Sequence, residues 1–127
     1  RELLLGTDSR EQLATLPPMM QPPDLQAAQA AVRSIHAAPP LIDYLQLLID
    51  ATRSGQWFVQ GLSPRAGLAV LRAARAHALL NERDYVSPDD VQAILPQVIA
   101  HRLHPRPGAG RGAVEQVRAM VEAIPLP

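Results

Sequence analysis

The chain has no cysteine, no lysine and no net charge, and its only aromatics are one tryptophan, two tyrosines and one phenylalanine in 127 residues. Each scarcity excludes something. Without cysteine there are no disulfides, no thiolate chemistry and no cysteine-based zinc site. All twelve cationic side chains are arginine, so these residues cannot supply a P-loop, whose lysine reaches the terminal phosphates of a nucleotide. We therefore expect no enzyme activity from this piece alone. Zero net charge gives no global basic field to attract nucleic acid, which argues against a helical DNA-binding module. No apolar run approaches the roughly 18 residues of a membrane span. No signal peptide is visible, and the sequence starts at Arg1 without a methionine. The expectation is a piece of a longer protein, with any upstream targeting segment missing.

What is present is aliphatic. The chain is 47% hydrophobic and only 3% aromatic, which favours helix-on-helix packing over a sheet. The length fits one domain with a modest core. The organising stretch is Gly61-Leu62-Ser63-Pro64-Arg65-Ala66-Gly67-Leu68 and the helix that follows. Ser63 is a natural N-cap, because its hydroxyl can accept from a backbone N–H one turn ahead. Pro64 suits the first helical position, where a missing N–H costs nothing. The helix should run to residue 81 or 82, with apolar residues, mostly alanine, on nearly every side. Such a helix is usually central, and Leu71 and Leu79 are its expected core residues. Arg65 is out of place, since a cation in a first turn opposes the helix dipole. Two readings fit it. Either the guanidinium and the free N–H groups together address a phosphate, or the side chain reaches solvent or a carboxylate.

Taken in order, Arg1 to Leu5 read as the end of a helix with Gly6 as its C-cap. Residues 7–23 form a connector stiffened by Pro17-Pro18 and Pro22-Pro23. Met19 and Met20 within it either cover the bundle or dock on an apolar groove. A helix is expected over 23–37, with Leu25, Ala28, Val32 and Ile35 on one stripe. A second is expected over 40–53, with Leu41, Tyr44, Leu45, Leu48 and Ile49 inward, ended by Gly55. Trp57 and Phe58 seal the bundle end, or Trp57 serves as a stacking platform. Asp84-Tyr85-Val86 is a short extended link. Ser87-Pro88-Asp89-Asp90 opens another helix as cap, first-turn proline and two acids. Val91, Ile94, Leu95, Val98, Ile99 and Leu103 follow, with a kink or split at Pro96. Residues 104–112 read as a flexible linker carrying part of an Arg102, Arg106, Arg111 cluster, best explained as solvated charge. Val114, Val117, Met120, Val121 and Ile124 give a last amphipathic helix.

Little in this order points to chemistry. His101 and His104 lie three residues apart but lack a third metal ligand, and next to Pro105 they suit a helix end. His36 and His77 read as ordinary helix residues. Asp89 and Asp90 are a cap rather than a catalytic pair. Ser63 has no neighbouring histidine and no nucleophile-elbow glycines. Arg72 lies about two turns beyond Arg65, nearly beneath it, with Arg75 to the side. These two fit a salt-bridged surface stripe, or a support for Arg65 or for a neighbouring subunit.

The motifs Gly61-Leu62-Ser63-Pro64-Arg65-Ala66, Leu71-Arg72-Ala73-Ala74-Arg75-Ala76, Asn81-Glu82-Arg83-Asp84-Tyr85-Val86-Ser87-Pro88-Asp89-Asp90-Val91 and His101-Arg102-Leu103 are collinear. Together they resemble the C-terminal lid of MoxR-family AAA+ ATPases, over roughly residues 1–106. The resemblance implies an all-α fold: a bundle of about four main helices with an additional C-terminal helix. It divides the chain into the end of an AAA+ core and a proline-rich connector (1–22), a helical lid (23–104), and a linker with a C-terminal helix (105–127). It implies that Arg65 is the sensor 2 residue reaching the nucleotide phosphates, supported by Ser63 and Pro64. The intact protein would bind ATP or ADP with Mg²⁺ on a core outside these residues, with no nucleotide bound by this piece alone and no metal site in it. Partners implied are that core, neighbouring subunits of a homo-oligomeric ring, a hexamer by family habit, and von Willebrand factor A-domain proteins. The setting is cytoplasmic, with chaperone-like remodelling or activation of partner proteins. The alternative is a free-standing helical protein-interaction module without nucleotide function. The proline-rich connector and the Arg-Pro-Gly linker are departures from the family pattern.

Overall fold

Of the five α-helices bounded within the described residues, four begin on a proline: α1 (Pro22–Ser34), α2 (Pro39–Arg53), α3 (Pro64–Leu80) and α4 (Pro88–Ile99), with α5 (Ala113–Ala123) as the exception. The ring fixes φ near its helical value and removes an N–H that would have no partner there. A computed structural model describes Leu13, residues 15–108, Gly110 and residues 112–126. The expected helix end at residues 1–6, most of the first half of the connector, and Arg111 lie outside the described residues. The fold is all-α, with no strand among the described residues. Two isolated bridges, His36 with Tyr85 and Phe58 with Pro105, tie its loops.

The core is aliphatic, as the composition demands. All five inward residues expected of α2 are buried. They meet Val70, Ala74 and Ala78 of α3, Val91, Leu95 and Ile99 of α4, and Val117, Met120 and Val121 of α5. Tyr44 is buried with its hydroxyl accepting from Gln92 Nε2 at 2.9 Å, which links α2 to α4. Phe58 is buried and Trp57 half-buried against the core, so the aromatic pair does close the end of the bundle.

Several expectations need correction. The face of α3 turned to the core is Ala66, Gly67, Val70, Ala74 and Ala78. Leu71 and Leu79 are only partly buried at its margin. Small residues let α3 approach its neighbours closely, and the leucines are pushed to its flanks. Helix α1 stops at Ser34, where the chain turns to lay His36 beside Tyr85: His36 N donates to Asp84 O at 2.8 Å and Val86 N to His36 O at 2.9 Å. No residue within α1 is buried; Leu25 is 51% exposed, and the buried Ile35 lies just past its end. Met19 and Met20 face solvent. Pro96 does not split α4. It falls in the last turn, and the helix continues until Ala100 N–H closes on Pro96 O, before the 3-10 turn Ala100–Arg102.

The junction of α3 and α4 is built around one carboxylate. Asp90 is wholly buried. It accepts both arms of the Arg83 fork, Nη1 on Oδ2 and Nη2 on Oδ1, each at 2.6 Å. The Ser87 N–H donates to Oδ2 at 2.8 Å and the Ser87 hydroxyl at 2.9 Å. His77 Nδ1 donates to Oδ1 at 2.7 Å, which fixes its proton on that nitrogen. The pair Ser87 and Asp90 is a capping box, with Asp90 N returning to Ser87 Oγ. Burial alone would push the Asp90 carboxyl up. The Arg83 bonds, then those from Ser87 and His77, more than reverse this and hold it well below the usual carboxylate range. Asp90 is thus a cap, as the sequence implied, but also an ion-pair centre. His77 is one of its donors rather than an ordinary helix residue.

Helix α3 ends in a Schellman motif, with Arg83 N on Ala78 O at 3.0 Å and Glu82 N on Leu79 O at 2.9 Å. The motif places Glu82 at φ 58, a left-handed conformation that a glycine would adopt without strain. Replacing it, Glu82→Gly, should raise stability by about 0.5–1 kcal/mol by urea melt, because the left-handed strain is relieved and Glu82 makes no side-chain bond among the described residues that would be lost.

Asp90→Ala should cost about 3 kcal/mol, the low end for breaking a buried ion pair, since Arg83 and His77 retain some access to water. The pH dependence follows from the direction of the shift. The folded carboxyl titrates below the unfolded one, at about 3.9, so the unfolded chain binds a proton first on acidification. The stabilisation is whole above about pH 5 and is lost as pH falls through the unfolded and then the folded value. Thermal melts from about pH 6 to pH 3 should show a falling Tm, with a distinctly shallower slope in Asp90→Asn.

Candidate functional site

The start of α3 is positioned from behind by the end of α2. Thr52, fully buried, donates its hydroxyl proton to Ile49 O at 2.6 Å and accepts from Leu62 N at 3.0 Å. Arg53 Nε donates to Leu62 O at 2.8 Å. Both backbone groups of Leu62 are therefore held by side chains of α2, and the Leu62 side chain is buried in the core. Gly61 makes this possible: a Cβ there would stand 2.7 Å from Arg53 Cα and 2.9 Å from Arg53 N. Those are backbone atoms that cannot step aside. One residue later the chain enters α3 at Ser63.

Ser63 takes the N-cap position with extended backbone, φ −77 and ψ 159. Its hydroxyl does not cap, contrary to the sequence expectation; the first-turn bond is Ala66 N to Ser63 O at 2.9 Å. The residue is exposed, and the Ala66 N–H that a capping hydroxyl would serve is bonded to the Ser63 carbonyl. Pro64 occupies the first helical position. Arg65 follows, exposed, with no hydrogen bond or ion pair among the described residues. The first turn of α3 holds no acid, whereas α1 and α4 each open with one or two. The positive end of this helix thus stays uncompensated and carries a free guanidinium. Beside it, Pro64, Gly67, Leu68 and Leu71 of α3 face Ile42, Leu45, Gln46, Ile49 and Arg53 of α2 across an apolar cleft of about 180 Å³.

Arg72 and Arg75 do not join Arg65. They line a separate groove with Arg33 of α1. His101 and His104 are exposed, with the His101 ring accepting from Arg102 Nε at 3.1 Å. Among the described residues no three histidine, aspartate or glutamate side chains gather as a metal site would need. Arg106 N donates to Trp57 O at 3.4 Å and its guanidinium to Gly55 O, so this arginine fastens the Trp57 loop rather than standing as solvated charge. The residues missed by sequence reasoning are Thr52 and Arg53, which position the site. Their signal was faint: a hydroxyl and a guanidinium in the last turn of α2, where side chains reach free backbone groups of the following loop.

Thr52→Val preserves shape but leaves the buried Leu62 N–H unpaired, and should cost about 1–3 kcal/mol in a denaturant melt. Gly61→Ala should be at least as damaging, at about 1–3 kcal/mol, because it forces the loop off Arg53. Thr52→Ser, retaining the hydroxyl, should recover most of the first loss.

The description AAA lid domain matches residues 50–124. The Bacillus subtilis protein YeaC is 34% identical over 118 residues, 91% of this chain and 37% of YeaC. The Mycobacterium tuberculosis chaperone MoxR1 is 41% identical over 83 residues, 58% of this chain and 22% of that protein. A Cytophaga hutchinsonii crystal structure, described as a candidate ATPase, superposes with a TM-score of 0.75 at 22% identity. That superposition covers 83% of this chain and 36% of the other, and shows a shared fold. The chain spans only about a fifth to just over a third of these proteins. No helix among the described residues is long and apolar enough to cross a membrane. A matched segment that contains the whole of α3, α4 and α5, together with a MoxR-named relative, leads to one conclusion: the chain belongs to the AAA lid domain family.

Proposed function

We propose that this lid couples the nucleotide state of an AAA+ core to the shape of an oligomeric ring, and that Arg65 is its phosphate-sensing residue, with Ser63 and Pro64 as supporting motif. The single observation that carries the reading is the guanidinium in the first turn of α3, exposed and without a partner among the described residues. An arginine is disfavoured at that end of a helix dipole unless an anion is near. A nucleotide phosphate supplies that anion, and guanidinium binds it through a charge-assisted, planar fork. The donor set fits one part of a nucleotide site: a guanidinium and a helix start with no competing carboxylate. ATP or ADP with Mg²⁺ would be held by the core, in the setting of a homo-oligomeric cytoplasmic ring. Because Leu62 is bonded to Thr52 and Arg53, a pull on Arg65 moves α2 and α3 as one body, which is what lid rotation requires. Chaperone-like remodelling, with von Willebrand factor A-domain partners, is the activity this mechanism would drive. In that reading residues 1–22 lead out of the core, 23–104 form the lid, and 105–127 are a linker and closing helix.

The test compares Arg65→Ala in two settings. In the isolated chain the variant should melt within a few tenths of a kcal/mol of the parent, because an exposed cation opposing the dipole contributes little. In the intact ATPase, turnover should fall by about ten- to a thousandfold, the scale of one lost electrostatic stabiliser. Lysine should rescue poorly. Unchanged turnover per folded molecule, with a melted isolated chain, would make Arg65 a structural residue.

A further inference from the structure

On the side of α3 away from the core, an open groove of about 760 Å³ runs between α3 and α1. Gln29, Val32 and Arg33 form one wall; Arg72, Arg75 and Ala76 form the other. Arg33 and Arg72 are exposed and Arg75 is half-buried. None of the three guanidinium groups makes a hydrogen bond or ion pair among the described residues, and Arg75 Nε is sealed from water with no acceptor. The walls offer no counter-charge. Helix α3 has no acidic residue, and the one acid of α1, Asp24, lies in the first turn, bonded to Gln21 N at 2.9 Å. Three cations therefore converge on one concavity in a chain whose net charge is zero. A buried donor without an acceptor raises the energy of the empty groove, and three like charges with no counter-charge on its walls add a smaller, solvent-screened repulsion.

The form of the groove selects the ligand class. It is open, and its volume of about 760 Å³ is many times that of one water, far more than a single small oxyanion would fill. Between the charges its lining is apolar, from Val32, Ala76 and the arginine stems. A chain segment that alternates carboxylates with aliphatic side chains matches both features: fork-to-carboxylate pairs at the arginines and methylenes on Val32 and Ala76. We propose that the Arg33–Arg72–Arg75 groove binds an acidic polypeptide segment of a partner protein, through at least two aspartate or glutamate side chains. This is independent of the role assigned to Arg65, which lies outside the groove.

The probe is a short rhodamine-labelled peptide alternating glutamate and leucine, titrated with the full chain at low ionic strength and read by fluorescence anisotropy. Arg72→Gln should weaken binding about tenfold, the loss of one charged fork, and Arg72→Gln with Arg75→Gln about a hundredfold or more. Arg118→Gln on α5 should stay within about twofold of the parent. Arg72 is exposed, so its single variant should keep the parent's circular dichroism and Tm, and tests the site even if substitution at the half-buried Arg75 disturbs folding. The proposal is overturned if Arg72→Gln binds like the parent, or if Arg118→Gln loses as much. It is also overturned if a glutamine-leucine peptide binds equally well, which would mean an apolar groove. Displacement of the peptide by inorganic pyrophosphate at lower concentration than by unlabelled peptide would mean a small-anion site and would overturn it too.

Discussion

The arrangement of the bundle depends on keeping the Asp90 carboxylate charged inside it. A carboxylate moved from water into a protein interior loses hydration worth many kcal/mol, and the structure survives only if that loss is met bond for bond. Here Arg83, Ser87 and His77 meet it from three segments: the link after α3, the cap of α4, and the last turns of α3. Shifting any of the three would leave a donor or an acceptor unpaired. The angle between α3 and α4, which form the most extensive helix pair, is therefore specified by polar geometry. The aliphatic core then only has to fill the space so defined.

At the opposite end of α3 the constraint is of the same kind but weaker. Leu62 is held by one hydroxyl and one guanidinium, and Gly61 is required because α2 backbone occupies the room a side chain would need. Between the two anchored ends, α3 presents alanine, glycine and valine to its neighbours. A helix so slender on its inner side can be enclosed on both sides, by the core on one and by α1 on the other. This is how it carries Arg65 at its tip and Arg72 and Arg75 on its outer flank without any of these cations entering the core.

The sequence made the helices legible wherever a local device marked them. Prolines at first positions, the Ser87–Asp90 capping box and the apolar periodicity of α2 all correspond to what the structure contains, and the match to an AAA lid rests on the same motifs. It was illegible wherever the deciding partner lay outside the local window. On α3 the apolar residues circle the helix, so periodicity could not tell that Ala74 and Ala78 face inward while Leu71 and Leu79 sit at the edge. Ser63 has the right identity and backbone for a capping hydroxyl yet does not cap, and the bonds that hold Leu62 beside it come from Thr52 and Arg53, roughly ten residues upstream. His77 and Asp90 are thirteen residues apart across a helix end, a separation that no helical repeat brings together. Of the candidate site, the position and exposure of Arg65 followed from the motif; what holds it in place did not.

Among the described helices α1 packs against α3 alone, and not one of its own residues is buried. Its opening should therefore cost only a fraction of the global unfolding free energy, and its amides should exchange with solvent deuterium well before those of α2 to α4. That loosely held helix supplies Arg33, one wall of the arginine groove. An acidic segment lying across Arg33 and Arg72 would then work as a clasp as well as a ligand, ordering α1 as it binds. Occupancy of the groove would be written into the protection of a helix that otherwise breathes on its own.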